Sequence, residues 1–285
     1  MDLANRPFRS VLYIPGSKPR ALDKARALPV DAIIFDLEDA VTPEAKIEAR
    51  DTLKSALAVG GYGNRTRIIR INGLDSEWGA GDVSALKDAG ADAFLLPKVN
   101  SAADVQALAD IWGDTPIWAM IETPLGVLNA LEIAAHPQIA GFVAGTNDLA
   151  KELNCRYRAD RLPLQNALQT LLLAARAQGI VAIDGVYNQF KDDAGLRAEC
   201  QQGRDLGFDG KTLIHPAQID VTNAEFAPSE EEIDLAQRQI AAFEAAKSEG
   251  KGVAVVDGKI VENLHIETAS RMIAKANAIA DLKAE

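Results

Sequence analysis

Short apolar runs alternate with amphipathic stretches along almost the whole chain. The runs are Ser10–Pro15, Ala32–Asp39, Thr66–Asn72, Ala93–Val99, Ile117–Thr123, Ile139–Ala144 continuing into GTNDLA, Val181–Val186 and Lys211–Ile214. Helical spacing fills the gaps at Pro19–Leu28, Pro43–Ala58, Val83–Ala89, Ser101 to about Trp112, Leu125–Ala135, Leu164–Gln178 and Ala194–Leu206. Proline opens the first two of these helices, Ser101 is placed to cap the fourth, and Gly90 and Gly179 stop the third and sixth. Runs that stay apolar, rather than alternating, mark strands covered on both faces. Eight strands, each followed by a helix, predict a parallel sheet. An open doubly wound sheet shares the pattern, but eight units within about 220 residues favour a closed (β/α)₈ TIM barrel.

After residue 226 the pattern changes. Ser229–Ser248 reads as a helix with Glu230, Glu231 and Glu232 in its first turn, where the helix dipole favours acids. Gly252–Val261 is a hairpin signal around Asp257-Gly258, and Glu262–Lys283 is a last helix. The expected organisation is a barrel over residues 1–226 and a C-terminal helix–hairpin–helix appendage over 227–285, serving as lid, oligomer clasp or both.

The chain has 285 residues, 48% of them hydrophobic. That length suits one barrel and can bury a core without disulfide staples. Cys155 and Cys200 offer no disulfide or zinc framework, which fits a reducing cytosol. A net charge of −11 with no basic stripe argues against nucleic acid. The start MDLANRPFRS lacks the apolar core of a signal peptide, and no run reaches the roughly 18 apolar residues of a membrane span. A cytoplasmic enzyme with no membrane partner is expected.

Barrel enzymes work at the C-terminal ends of their strands, so strand ends are where chemistry is sought. Strand two ends in Asp36, Glu38 and Asp39, strand three carries Arg70, strand four ends near Lys98, strand five ends at Glu122, and strand six leads to Asp148. Two carboxylates on neighbouring strands, without His or Cys nearby, suit a hard, water-rich cation such as Mg²⁺ better than Zn²⁺. The alternative is that Glu122 and Asp148 cap the helices that follow them. Alternation puts Arg70 and Asn72 on one face. An inward Arg70 can fork a substrate carboxylate or steady an oxyanion, or it can pair with Asp36 or Glu38 inside the barrel. Asp36 and Glu38 share a face and can hydrogen-bond waters around a metal, while Asp39 is equally explained by solvation. The turn Pro15–Arg20, with Lys18, Arg20 and Lys24, is a weak phosphate signal at a helix start. His136, His215 and His265 are scattered, two of them before Pro, and read as turn residues. No Ser-His or Cys-His pair suggests a covalent route.

The segments RSVLYIPGSKPRALDKA, DAIIFDLEDAV with Lys46 and Arg50, TRIIRIN, AFLLPKV, IWAMIET, GTNDL and KTLIHPAQ resemble the HpcH/HpaI aldolase and citrate lyase β-subunit superfamily across nearly the whole chain. NDLAKEL, DGVYN and GVAVVDGKIVENLHI are most similar to its branch acting on malyl-coenzyme A (malyl-CoA). The resemblance implies a TIM barrel in a homotrimer or homohexamer. It implies Mg²⁺, with Mn²⁺ as a substitute, on Glu122 and Asp148, and Arg70 gripping the acid end of an acyl-CoA. It further implies CoA contacts at Tyr13, Lys18 and Lys24, and Asp257 as an acid/base that completes a neighbouring subunit's site. The activity implied is Mg²⁺-dependent hydrolysis of (3S)-malyl-CoA to malate and free CoA. The alternatives are carbon–carbon cleavage of malyl-CoA, β-methylmalyl-CoA or citramalyl-CoA to glyoxylate or pyruvate plus an acyl-CoA, and a β-subunit that works only within a citrate lyase-type complex.

Overall fold

A computed structural model describes residues 6–283 of the chain. Its eight long-range strands are β1 (Ser10–Pro15), β2 (Ala32–Asp36), β3 (Thr66–Arg70), β4 (Ala93–Leu96), β5 (Ile117–Ile121), β6 (Ile139–Ala144), β7 (Val181–Asp184) and β8 (Gly210–Leu213). Each pairs in parallel with the next, and β1 closes on β8 through Ser10↔Lys211, Val11↔Thr212 and Leu12↔Leu213. This is a closed (β/α)₈ barrel. The strands are buried almost end to end, as runs of Val, Ile, Leu and Ala predict for a sheet with helices outside and side chains within.

Around them run α1 (Pro19–Ala25), α2 (Lys46–Val59), α3 (Gly79–Leu86), α4 (Ala102–Trp112), α5 (Pro124–Leu128), α6 (Ala130–Ala134), α7 (Thr146–Glu152), α8 (Gln165–Gln178), α9 (Asp193–Leu206) and α10 (Ile219–Phe226). Three stretches differ from their sequence reading. The helix expected over residues 125–135 divides at Asn129, whose side chain turns to donate to Asn100 O at 2.8 Å. The sixth strand does not extend into GTNDLA. It stops at Ala144, because Leu149 N bonds Gly145 O and starts α7. The helix expected over 43–58 begins instead with a 3₁₀ turn at Pro43–Ala45.

Strand register sets up the site. Asp36 lies beside Arg70 across β2–β3, and Ile121 lies beside Ala144 across β5–β6. The residues that follow, Glu122 and Gly145, therefore stay neighbours, with Gly145 N donating to Ile121 O at 3.0 Å.

The chain divides into two compact units, one spanning Phe8–Phe226 and one containing Ala227 onward. In the second, α11 (Glu230–Ser248) is capped by Ser229 and followed by the hairpin β9 (Ala254–Val256) and β10 (Lys259–Val261), then α12 (Asn263–Lys283). Ala254, Val256 and Val261 form a small apolar centre with Ala242, Phe243 and Ala246 of α11 and Ile266 of α12. The hairpin turns on Asp257 and Gly258 at φ 48° and 76°, the paired positive φ of a type I′ turn. No helix among the described residues is long and apolar enough to cross a membrane.

Candidate active site

At the C-terminal ends of the strands a cavity of about 330 Å³ is lined by Tyr13, Asp36, Asp39, Arg70, Met120, Glu122, Thr146, Asn147, Asp148, Thr212 and Ile214, among others. Most of the sequence candidates thus meet on one wall or another. Met120 and Glu122 share a face by strand alternation, and Tyr13 of β1, Asp36 of β2, Arg70 of β3, Ala144 of β6 and Thr212 of β8 also face the cavity. Among the described residues, no Ser, Cys or His lines this cavity.

Arg70 is buried at the centre. Its Nε and Nη2 bond the two oxygens of Asp36 at 2.8 and 2.6 Å in a fork. Its Nη1 lies 2.7 Å from Glu38 Oε2 and 3.4 Å from Asp39 Oδ2, and its Cζ sits 4.9 Å from the Tyr13 ring centroid. The barrel ion pair read from the sequence as one alternative is therefore present. Asp36 also accepts from Glu38 N and Ala40 N, so the turn after β2 is folded around the carboxylate that holds the arginine. Glu38 Oε2, close to Nη1 but out of line with its N–H, has no hydrogen-bond partner. Burial first, and then Asp39 and Asp36, push Glu38 up to about 7 against the pull of Arg70 and Lys98.

Glu122 is buried too, and it does not cap α5. That role belongs to Thr123, whose hydroxyl accepts from Gly126 N at 3.0 Å. Glu122 Oε1 instead accepts from Lys98 N at 2.8 Å. Lys98 holds a left-handed backbone, φ 51°, to aim that N–H. Side chains at position 145 are excluded by the same carboxylate, because a Cβ there would come within 2.7 Å of Glu122 Oε2. Burial, with the charges of Glu38 and Asp148, pushes Glu122 up to about 8 although the Lys98 N–H and Arg70 pull it down. Asp148 stands half-buried in the first turn of α7.

Among the described residues no three His, Cys, Asp or Glu side chains gather as a complete metal cage. Two carboxylates on one cavity wall leave the remaining positions of a cation to water and substrate oxygen, which is how Mg²⁺ is commonly held. The fit rests on charge. Three carboxylates, Asp36, Glu38 and Asp39, contact Arg70, with Lys98 3.9 Å from Glu38 as a further cation; Glu122 and Asp148 line the same cavity as Arg70, and Glu38 and Glu122 are pushed far above the ordinary carboxylate range. Glu122 and Asp148 would be the residues to hold a cation, whose charge would offset part of that cost.

Other candidates lie elsewhere. Glu38 and Asp39 border a second, larger cavity of about 810 Å³ with Lys46, Asn72, Trp78 and Lys98. Lys18 is exposed and lines a small hollow with Ser17 and Thr42, while Lys24 is exposed on α1. Neither lines the cavity that holds Tyr13. Asp257 belongs to the C-terminal unit, where Arg238 Nη1 holds both its oxygens at 2.9 and 2.8 Å. The three histidines are turn acceptors: His136, His215 and His265 take backbone N–H groups of Gln138, Ala217 and Glu262 on Nδ1. Sequence reading missed Thr146, Asn147, Thr212 and the Lys98 N–H. The first three were findable as polar residues at or just past strand ends, while the Lys98 geometry has no sequence signal.

The family model described as HpcH/HpaI aldolase/citrate lyase matches residues 9–216. A (3S)-malyl-CoA thioesterase of Cereibacter sphaeroides is 65% identical over 274 residues, covering 96% of each chain. The citrate lyase subunit beta of Escherichia coli (strain K12) is 38% identical over 95% of this chain and 94% of its own. Among solved structures, CitE from Mycobacterium tuberculosis in complex with magnesium, acetoacetate and coenzyme A matches with a TM-score of 0.80 and 32% identity, over 96% of this chain and 99% of that one.

Proposed function

Because the chain belongs to the HpcH/HpaI aldolase/citrate lyase family, we propose that it is a Mg²⁺-dependent acyl-CoA thioester hydrolase that converts (3S)-malyl-CoA to malate and free CoA. The observation that carries the reading is the near full-length 65% identity to a (3S)-malyl-CoA thioesterase, together with a cavity that joins Arg70, Glu122 and Asp148. The related CitE crystallised with magnesium and coenzyme A supports both ligands for this fold.

Glu122 and Asp148 are the residues to hold the metal, with Mn²⁺ as a substitute. When bound, Mg²⁺ supplies a Lewis-acidic charge to the hydroxyl and carboxylate oxygens of the malyl group. Arg70 compensates negative charge on the acyl portion. Asp36 fixes the plane of its guanidinium, and the Tyr13 ring lies against it, so the arginine is oriented before substrate arrives. Its Nη1, which donates to Asp39 Oδ2 at 3.4 Å and Met120 Sδ at 3.8 Å, is the end to turn to substrate, giving up these long bonds. Glu38 and Asp39 accept from waters at the cavity edge. The thioester carbonyl takes a water oxygen, the C–S bond breaks, and the sulfur leaves with a proton as CoA thiol. Asp257, contributed by a neighbouring copy in a homotrimer or homohexamer, is the group to take the water's proton, after release from Arg238. Tyr13, Lys18 and Lys24 receive the CoA portion. Function in the cytoplasm follows from this reading.

The test supplies purified protein with (3S)-malyl-CoA, with and without Mg²⁺, and follows free thiol alongside glyoxylate. Mg²⁺-dependent thiol without glyoxylate is the expected result. Glyoxylate and acetyl-CoA without free thiol would make the protein a carbon–carbon lyase. Turnover that needs a co-purifying acyl-carrier protein would make it a citrate lyase-type subunit.

A further inference from the structure

A separate cavity of about 530 Å³ opens on the other side of the β6–α7 turn. The loop between α7 and α8, the loop between β7 and α9, and the first turns of α9 form its walls. It shares Thr146, Asn147 and Val186 with the catalytic cavity, and the reciprocal amide pair Asn147–Asn188 stands in its wall.

Its polar groups are unequally satisfied. The acids are already engaged: Asp192 accepts from the Tyr187 hydroxyl and Gly195 N, and Glu199 accepts from Lys211 Nζ. Of the three lining arginines, Arg158 is paired with Asp160, while Arg161 and Arg156 keep donors to spare. Arg161, 5% exposed, gives Nη1 to both oxygens of Asp184 and Nε to Gln202, but its buried Nη2 has no hydrogen-bond partner. It also holds a left-handed backbone at φ 49°, an unfavourable conformation for a non-glycine residue. Arg156, exposed on the rim, forms no ion pair or hydrogen bond among the described residues. A buried guanidinium N–H without an acceptor is costly, and a carboxylate or phosphate oxygen is its best partner. The wall also carries aromatic and apolar side chains, Tyr157, Tyr187, Val186 and Leu164. A volume of this order is that of a small-molecule site.

We infer that this cavity is a second ligand site, built for an organic anion that carries a carboxylate or phosphate beside a flat apolar body. The anionic group meets Arg161 Nη2 and Arg156, and the flat body lies against Tyr157 and Tyr187. The site is distinct from the catalytic cavity, sharing a wall with it but none of its charged residues.

Calorimetric titration of the full-length protein with benzoate, adenosine monophosphate and inorganic phosphate tests this. A ring-bearing anion is expected to bind saturably at one site per chain, more tightly than inorganic phosphate. Benzoate or adenosine monophosphate as the better probe identifies carboxylate or phosphate as the recognised group. Arg156→Gln, a change at an exposed unpaired residue, should weaken that binding about tenfold, and Tyr157→Ala should do the same. Glu122→Gln and Lys18→Gln should leave it unchanged. The proposal is overturned by no saturable binding of any probe, by binding that survives both Arg156→Gln and Tyr157→Ala, or by binding lost in Glu122→Gln or Lys18→Gln.

Discussion

Two buried arginines show how differently one barrel can surround a cation. Arg70 faces the candidate active-site cavity in contact with Asp36, Glu38 and Asp39, with Glu122 and Asp148 in the same cavity. Arg161, between the barrel and α9, shares its surroundings with a second cation. Lys211 Nζ bonds Asp184 at 3.1 Å and Glu199 at 2.6 Å, and Arg161 Nη1 bonds Asp184 at 2.7 Å. That second cluster is balanced, two cations against two carboxylates. Burial alone would raise Asp184, but Lys211 and Arg161 together outweigh it and hold the carboxyl below its usual range. In the first cluster the balance runs the other way, and Glu38 and Glu122 are pushed up to about 7 and 8. Such buried, raised carboxylates are the pattern that functional sites share. The balanced cluster ties β7, β8, α9 and the loop before α8 together, while the other leaves two buried carboxylates short of counter-charge.

The largest effect is expected at the unbalanced cluster, in activity. Glu122→Ala should lower Mg²⁺-dependent thioester hydrolysis by about a thousandfold, or about 4 kcal/mol of transition-state stabilisation. Its melting temperature in EDTA should not fall, because a costly buried carboxylate has been removed. Activity near that of the unaltered protein would remove Glu122 from the metal site. The balanced cluster should respond in the opposite way. Lys211 is fully buried, and Lys211→Met leaves Asp184 and Glu199 with one cation between them. Breaking a buried pair from one side costs about 3–5 kcal/mol. Urea unfolding should register that loss, and a variant as stable as the parent would show that the cluster is not structural.

Glu38 sharpens the contrast through pH. Its folded value, about 7, lies above the ordinary 4.5, so ionisation opposes folding. The cost is absent below the unfolded value, grows as pH rises from there to about 7, and is constant above. Glu38→Gln should therefore stabilise the metal-free protein by about 3 kcal/mol at pH 8 and by almost nothing near pH 4. An equal effect at both pH values would mean that charge is not the cause.

Much of the unbalanced cluster is legible in the sequence, and the balanced one is not. Asp36 and Arg70 end consecutive strands, and consecutive strands pair in a parallel barrel, so their meeting follows from order alone. Glu122 and Asp148 stand where acids after apolar runs draw attention. Arg161, Asp184, Glu199 and Lys211 come from four segments whose acids and bases look like surface charge. The clues were a single Asp closing VAID and a Lys opening KTLI on adjacent strands. The left-handed backbones of Lys98 and Arg161 leave no trace in residue type, because neither is Gly or Asn. Helix existence was legible and helix ends were not, since the break at Asn129 depends on a carbonyl of a distant loop, Asn100 O.

The smallest effect concerns a reporter lying behind the balanced cluster. Cys200 is fully buried on α9, its thiol 3.7 Å from Thr222 Oγ1 and under the field of Lys211. Burial pushes that thiol up to about 11, outweighing the pull of Lys211 and Thr222. At pH 8 only about a thousandth of it is thiolate, the form that attacks disulfide reagents. Cys155 is half-buried in the loop after α7, so a thiol-reactive dye should titrate one thiol of the native protein quickly and the second only as α9 loosens. In Lys211→Met the slow phase should accelerate, while in Glu122→Ala it should not. Equal acceleration in both variants would mean that the two clusters are coupled through the barrel wall, and the distinction between a structural cluster and a catalytic one would fail.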